Sequence, residues 1–293
     1  MYSSINIMTY PLLTKEFFEK DKLLKPDLTQ KSGRELLAFY LQTKFKQLIA
    51  FDKKCSNPII IDVHPDFISK FTKRLIDNPN KRLLIGINGA SASGKSTICS
   101  AIQRMTTDLD MPVSILSTDN YFKDISALIL KYGSFDKLRD SGYDIDSPNG
   151  FQLDTLQEDL ENLSVGINIK SPKYLPNGTG VSIPNSILVK AEKIIIIEGT
   201  ATFFTNIKDI FDIKIFIEVD DEIRKQRFMQ RASSERNQDL ENAKKHWEYL
   251  ICAGAKYITP TRKEADIIIN GNVDLNYLIQ IIEYLHIITN SFL

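Results

Sequence analysis

Cysteine is scarce. The 293 residues include three, Cys55, Cys99 and Cys252, widely spaced and with no C-x-x-C pair. That pattern excludes a disulfide framework and a zinc knuckle, and it reads as three reduced thiols in a cytosolic protein. An excess of either charge is also lacking, because Lys plus Arg is 37 and Asp plus Glu is 37. Nucleic-acid and anionic-membrane binders usually carry a basic excess, so neither partner is expected. Long apolar runs are missing too. The longest, such as Ile194 to Ile197, are strand-sized and far below the ~18 residues of a membrane span. Lys15, Glu16, Glu19 and Lys20 crowd the start with no apolar stretch before them, so no secretory signal is expected. The expected protein is soluble and cytoplasmic.

What is present is ordinary in bulk and informative in order. Hydrophobic residues make up 43% of the chain, enough for a globular core, and at ~150 residues per domain the length suggests one or two domains. A turn-rich junction, Asn78-Pro79-Asn80-Lys81, divides the chain. Before it, Glu35 to Phe51 and Pro65 to Ile76 have helical apolar spacing, and Pro58 to Val63 suits a short strand. Residues 1–80 are therefore expected to form a mainly helical extension packed on the rest.

After the junction, short aliphatic runs alternate with amphipathic stretches. Leu83 to Asn88, Val113 to Ser117, Lys193 to Ile197, Ile213 to Val219 and Ala265 to Ile269 read as strands. Ser96 to Thr107, Phe151 to Leu163, Glu222 to Gln230, Gln238 to Cys252 and Leu275 to His286 read as helices. Strands that are aliphatic throughout belong in a parallel sheet covered on both faces. The expected fold for residues 81–293 is a doubly wound α/β domain.

Gly89-Ala90-Ser91-Ala92-Ser93-Gly94-Lys95-Ser96 fits G-x-x-x-x-G-K-[ST] at every fixed position. Gly89 and Gly94 allow the tight turns that aim successive N–H groups at a polyphosphate. Lys95 would set a cation near the β and γ phosphates, and the Ser96 hydroxyl would ligate Mg²⁺. The helix that follows, from Ser96 and Thr97 on, adds its positive end. A strand precedes the loop, as the motif requires. The chain is thus expected to bind a nucleoside triphosphate, ATP or GTP, with Mg²⁺.

No Asn-Lys-x-Asp or Asp-x-x-Gly occurs, which excludes a switch GTPase. A small-molecule kinase needs a carboxylate at the acceptor hydroxyl, an acceptor pocket and cations over the phosphoryl group. Asp119 follows the run Val113 to Leu116 and so belongs at the carboxyl end of a strand, where such sheets bind ligands. Tyr121 and Phe122 follow it as candidate pocket aromatics, and Asp146 lies in the loop Tyr143 to Pro148. Arg224, Arg227 and Arg231 share one helical face, and Arg236 sits in a polar segment suited to a lid.

From about Lys81 to Gly271 the sequence resembles the uridine kinase and phosphoribulokinase family of P-loop kinases, the uridine kinases most closely. Besides the phosphate loop, the resemblance is carried by Asp119-Asn120-Tyr121-Phe122-Lys123, Ile145-Asp146-Ser147-Pro148-Asn149-Gly150-Phe151, Pro172-Lys173-Tyr174 and Ile197-Glu198-Gly199. It is carried also by Phe211 to Phe216, Asp220, the arginines from Arg224 on, and Glu264 to Ile269. It implies that Asp119 activates the acceptor hydroxyl and that Asp146 holds ribose hydroxyls. Tyr174 would line the nucleoside pocket with Tyr121, Arg227 and Arg236 near the substrate. Glu198 would stand near the metal, with Ser96 and Asp119, while Arg224, Arg227 and Arg231 would close over the phosphates. Three positions depart from the pattern. The base-reading His becomes Thr179, one lid arginine becomes Gln238, and Asn149 replaces a carboxylate. The implied activity is phosphorylation of a primary hydroxyl on a small molecule, a nucleoside first. Pantothenate, a sugar phosphate, and a regulatory protein without turnover are the alternatives, and the oligomeric state stays open.

Overall fold

The computed structural model describes residues 27, 29–54, 58–78, 80–108, 112–175, 178–234 and 239–272. In chain order these form α1 (Lys31–Asp52), β1 (Ile60–Val63), α2 (Phe67–Asp77), β2 (Leu83–Asn88), α3 (Lys95–Asp108) and β3 (Ser114–Ser117). A 3-10 turn, Thr118–Tyr121, leads to α4 (Ser126–Tyr132), α5 (Phe135–Asp140) and α6 (Leu153–Ser164). Then come β4 (Ile169–Tyr174), β5 (Ser182–Val189), β6 (Ile194–Glu198), β7 (Ile213–Glu218), α7 (Asp221–Ser234), α8 (Leu240–Ala253) and β8 (Ile267–Asn270). The helix expected over Leu275 to His286 lies outside the described residues, as does Arg236.

Six strands make one sheet in the order β1-β8-β7-β2-β6-β3. All neighbours are parallel except β1, which runs antiparallel to β8 at one edge. The aliphatic strands read as a doubly wound sheet because each supplies both faces. Leu83, Ile85 and Ile87 join Ile98, Ile102, Ile194 and Ile196 in one apolar cluster. Leu84, Ile195 and Ile197 join Leu156, Leu160 and Leu163 of α6 in another. Side chains alternate along a strand, so only a continuous apolar run can serve two covered faces.

Among the described residues, the segment before residue 81 shares the core of the main sheet. Ile59, Ile60, Phe45, Phe67 and Phe71 belong to the same cluster as β2, β7 and β8. Phe67 packs stacked on Phe71 at 5.9 Å and edge-on to Phe45 at 5.8 Å. Each buried aromatic is worth roughly 1.5–3 kcal/mol. Polar ties reinforce this. The Asp52 carboxylate accepts the N–H groups of Ile59 (3.1 Å) and Ile60 (2.8 Å). Arg74 Nε donates to Asp212 Oδ1 at 2.6 Å, and Asp212 Oδ2 accepts the Leu84 N–H at 2.9 Å. The described part of the extension thus adds an edge strand and two helices to the sheet.

The hairpin β4–β5 stands apart as a two-stranded antiparallel unit. Its strands, and the short helices α4 and α5, were not expected from periodicity. Ser182–Val189 is mostly exposed and mixes polar and apolar residues without the all-aliphatic signature of the main sheet. Among the described residues, no helix is long and apolar enough to cross a membrane.

Candidate active site

The carboxyl ends of β2, β3 and β6 are neighbours in the sheet, and the chain leaves β2 there to form the phosphate loop. Gly89 has φ 153°, and a Cβ at this position would meet the Ile217 carbonyl oxygen at 2.7 Å and Ser93 Oγ at 2.8 Å. No side chain fits there, which explains the first fixed glycine. Gly94 turns the chain at φ 96° into α3, and Ala92 adopts the left-handed region at φ 64°. Lys95 Nζ donates to the carbonyls of Gly89 (2.6 Å) and Ala90 (3.1 Å). Burial pushes the Lys95 pKa down, opposed by the nearby carboxylates of Glu198 and Asp119. Ser96 and Thr97 are exposed in the first turn of α3, so both present hydroxyls at its positive end.

Two of the three expected phosphate arginines brace this loop from below. Arg224 is buried, with Nε donating to the Ser91 carbonyl at 3.0 Å and Nη1 to Asp221 Oδ1 at 2.5 Å. Its guanidinium lies over the Trp247 ring at 5.4 Å. Arg224 is therefore corrected from a group reaching over the phosphates to one that holds the loop. Its placement follows from α7, which turns Arg224, Phe228 and Ala232 inward. Arg227 Nη2 donates to the Gly271 carbonyl at 3.0 Å and Nη1 to that of Ser93 at 3.5 Å. It remains half-buried beside Gly94. Arg231 is half-buried one turn further on, and its charge lowers the Lys95 pKa, which puts it on the loop's side of α7.

Glu198 ends β6 and is buried. The Ser96 hydroxyl donates to its Oε1 at 3.2 Å. Burial raises the Glu198 pKa, and Asp119 adds to this while Lys95, Ser117 and Ser96 oppose it. Gly199, at φ 139°, follows Glu198 because a Cβ would collide with the Thr118 hydroxyl. Asp119 is exposed in the turn after β3, where the Ser117 hydroxyl accepts its N–H at 3.4 Å. A buried carboxylate beside a serine hydroxyl, with a second carboxylate near, fits a divalent cation. No cluster of three or more His, Cys, Asp or Glu suited to a metal occurs among the described residues. That donor set suits Mg²⁺, which is usually held by one or two protein groups plus substrate phosphates.

Asp146 is half-buried and feels the charge of Asp119. Burial pushes its pKa up to about 6, helped by the charges of Asp119 and Asp144. Phe122 stacks on Phe151 at 4.3 Å and tilts against Tyr174 at 5.3 Å, forming an aromatic wall. The Tyr174 hydroxyl is buried with no hydrogen-bond partner among the described residues, and burial pushes its pKa up to about 12. Tyr121 is a correction. It was expected to line the pocket, but it is fully buried, and its hydroxyl donates to Asp159 at 2.6 Å. Residues on a 3-10 turn point about 120° apart, so Tyr121 enters the core beside α6 while Asp119 stays exposed. Thr179 is exposed in the turn between β4 and β5.

Sequence reasoning missed a second carboxylate. Asp144 accepts the hydroxyls of Tyr249 (2.9 Å) and Tyr257 (2.7 Å), and Lys256 Nζ lies 3.5 Å away. The Arg139 guanidinium covers the Tyr249 ring at 4.3 Å. These groups are more than a hundred residues apart in sequence, so no local pattern could reveal them.

The profile described as the Phosphoribulokinase / Uridine kinase family matches residues 84–275. The chain belongs to this family. It is 33% identical over 207 residues to uridine-cytidine kinase A of Dictyostelium discoideum, covering 69% of this chain and 38% of that protein. The chain therefore spans well under half the length of that relative. Identity to the uridine kinase of Clostridium novyi is also 33%, over 189 residues, covering 64% of this chain and 86% of the bacterial one. The D-glycerate 3-kinase structure from Cryptococcus neoformans superposes with a TM-score of 0.50 at 11% identity, over 71% of this chain and 94% of that one. At that identity the likeness speaks for the P-loop kinase fold alone.

Proposed function

We propose that this family member transfers the γ-phosphoryl group of ATP to a primary hydroxyl of a nucleoside ribose. The observation that carries the reading is that Asp119, just after β3, and buried Glu198, at the end of neighbouring β6, feel each other's charge and that of Lys95, while Asp146, in the loop before the Pro148–Gly150 turn, feels the charge of Asp119. The Asp119 carboxylate accepts the acceptor's hydroxyl proton as the new O–P bond forms and the bond from the γ-phosphorus to ADP breaks. Asp146 accepts hydrogen bonds from the two ribose hydroxyls, and the Phe122 and Tyr174 wall takes the base. Lys95 and Arg231 lie where charge develops on the phosphoryl oxygens, and the pre-set loop N–H groups add to them at no reorganisation cost. Mg²⁺, held by Ser96 and Glu198 with Asp119 near, supplies charge neutralisation when bound.

Both relatives named above are called uridine or uridine-cytidine kinases, which favours a pyrimidine nucleoside. Thr179, at the position where the uridine kinases carry a His, favours another acceptor, with pantothenate and pentose phosphates as the second reading. A coupled ADP assay over uridine, cytidine, purine nucleosides, pantothenate and pentose phosphates tests both. The first reading expects the highest kcat/KM on uridine or cytidine. Turnover confined to pantothenate or a sugar phosphate would replace it with the second, and ATP binding without turnover on any acceptor would overturn both.

A further inference from the structure

The turn that carries Asp146 has few anchors of its own. The Asp144 carbonyl accepts the Ser147 hydroxyl at 2.7 Å and the Ser147 N–H at 3.3 Å, which closes the turn around Asp146. The turn is short and polar, and it buries only Ser147 and Gly150. Its ends are tied by the Tyr143 N–H to the Leu138 carbonyl (3.3 Å) and by the Lys123 N–H to the Gly150 carbonyl (2.8 Å). Its middle is tied across to α8 by a Tyr249 hydrogen bond to Asp146 and by the Asp144 carboxylate, with one oxygen on Tyr249 and the other on Tyr257 just beyond it. Burial alone would raise the Asp144 pKa, but the Tyr257 and Tyr249 hydroxyls and Lys256 outweigh it and hold the carboxyl below its ordinary value. Asp144 is therefore a charged acceptor of two short hydrogen bonds, the stronger kind.

The helix that supplies this anchor also touches the phosphate loop, but on another side. Trp247 is buried with Ala92 and Phe228 and lies beneath Arg224. Tyr249, two residues on, points about 200° around the helix from it. Thus α8 meets the two substrate loops through different side chains, and each contact can be cut without cutting the other.

We propose that Asp144, clasped by the Tyr249 and Tyr257 hydroxyls, is a positioning residue that holds the Asp146 turn in its binding geometry before the acceptor arrives. The proposal rests on the nucleoside kinase reading for the identity of the acceptor, but not for the clasp itself. Without the clasp the turn samples other conformations, and only the competent fraction binds acceptor. The apparent acceptor affinity falls by that fraction, while the complex once formed has its normal geometry. The signature is a raised acceptor KM with kcat preserved.

The test compares the full chain with Tyr249→Phe, Tyr257→Phe and the double variant; the Tyr249 hydroxyl also bonds Asp146 directly, so Tyr257→Phe isolates the Asp144 clasp. Two measurements are made. Hydrogen exchange of residues 143–150 in the protein without substrates is expected to speed up about ten-fold or more in the double variant and less in each single one. The KM for uridine is expected to rise about ten-fold, with kcat within about two-fold and the KM for ATP unchanged. Unchanged exchange in the double variant overturns the clasp. So does an equal rise in both KM values, which would report general loosening. If wild type turns over no uridine, the kinase reading fails, and the exchange measurement alone still decides whether the clasp holds the turn. If the double variant does not fold, Tyr249→Phe and Tyr257→Phe alone carry the same comparison.

Discussion

The phosphate side of the cleft is ten consecutive residues, Asn88 to Thr97, braced underneath by Arg224 and Arg227 through loop carbonyls. The proposed acceptor side draws on four distant segments: the Asp119 turn with Phe122, the Asp144–Phe151 loop, Tyr174 of β4, and Tyr249 with Tyr257. Backbone N–H groups can recognise a polyphosphate from a single tight loop, because every phosphate offers the same oxygens. A ribose and a base offer different groups in different directions, so side chains from several elements must converge on them. The first side is fixed locally, whereas the second depends on tertiary packing.

Arg224→Ala probes the first side and should give the larger effect. It deletes a buried guanidinium, the Ser91 tie and the packing on Trp247. The KM for ATP is expected to rise by about ten-fold, with the acceptor KM within about two-fold, and thermal stability should fall because the Ser91 tie and the packing on Trp247 are lost. Steady-state kinetics in both substrates read this directly. A rise in acceptor KM of the same size would erase the distinction between the two sides.

A pH titration probes the second side more gently. Asp146 is raised by burial and by Asp119 and Asp144 to about 6. In the proposed complex it accepts hydrogen bonds from the ribose hydroxyls through its charged form, which is lost as pH falls through that value. Acceptor KM should therefore rise about four-fold from about pH 7 to about pH 5.5, with the KM for ATP changing less. A flat acceptor KM over that range would remove Asp146 from the binding site.

The same contrast decides what was legible beforehand. The glycines of the phosphate loop, Lys95 and Ser96 stand at fixed spacing, and the strands that position them are aliphatic throughout. Asp119 and Glu198 could be placed at strand ends because β3 and β6 are short apolar runs with clear limits. Tyr121 could not be resolved from Asp119 and Phe122, since which residue of a 3-10 turn faces inward depends on α6 packing beside it. Arg224 shares a helical face with Arg227 and Arg231, but burial depends on Trp247, contributed by a different helix. The union of the described residues before 81 with the sheet depends on β1, four residues long and paired with distant β8, and on Phe45, Phe67 and Phe71 packing into the sheet's core. The family resemblance runs from about Lys81 to Gly271, and the family profile matches nearly the same stretch, residues 84–275.

Asp119 carries the central claim, because in the proposed reaction it takes the acceptor's proton. The most direct measurement is the kcat of Asp119→Asn beside its ATP dissociation constant, determined by titration without acceptor. The account predicts turnover lower by about 10²–10³-fold or more with ATP affinity within about three-fold of wild type. Near-normal turnover in that variant would contradict it.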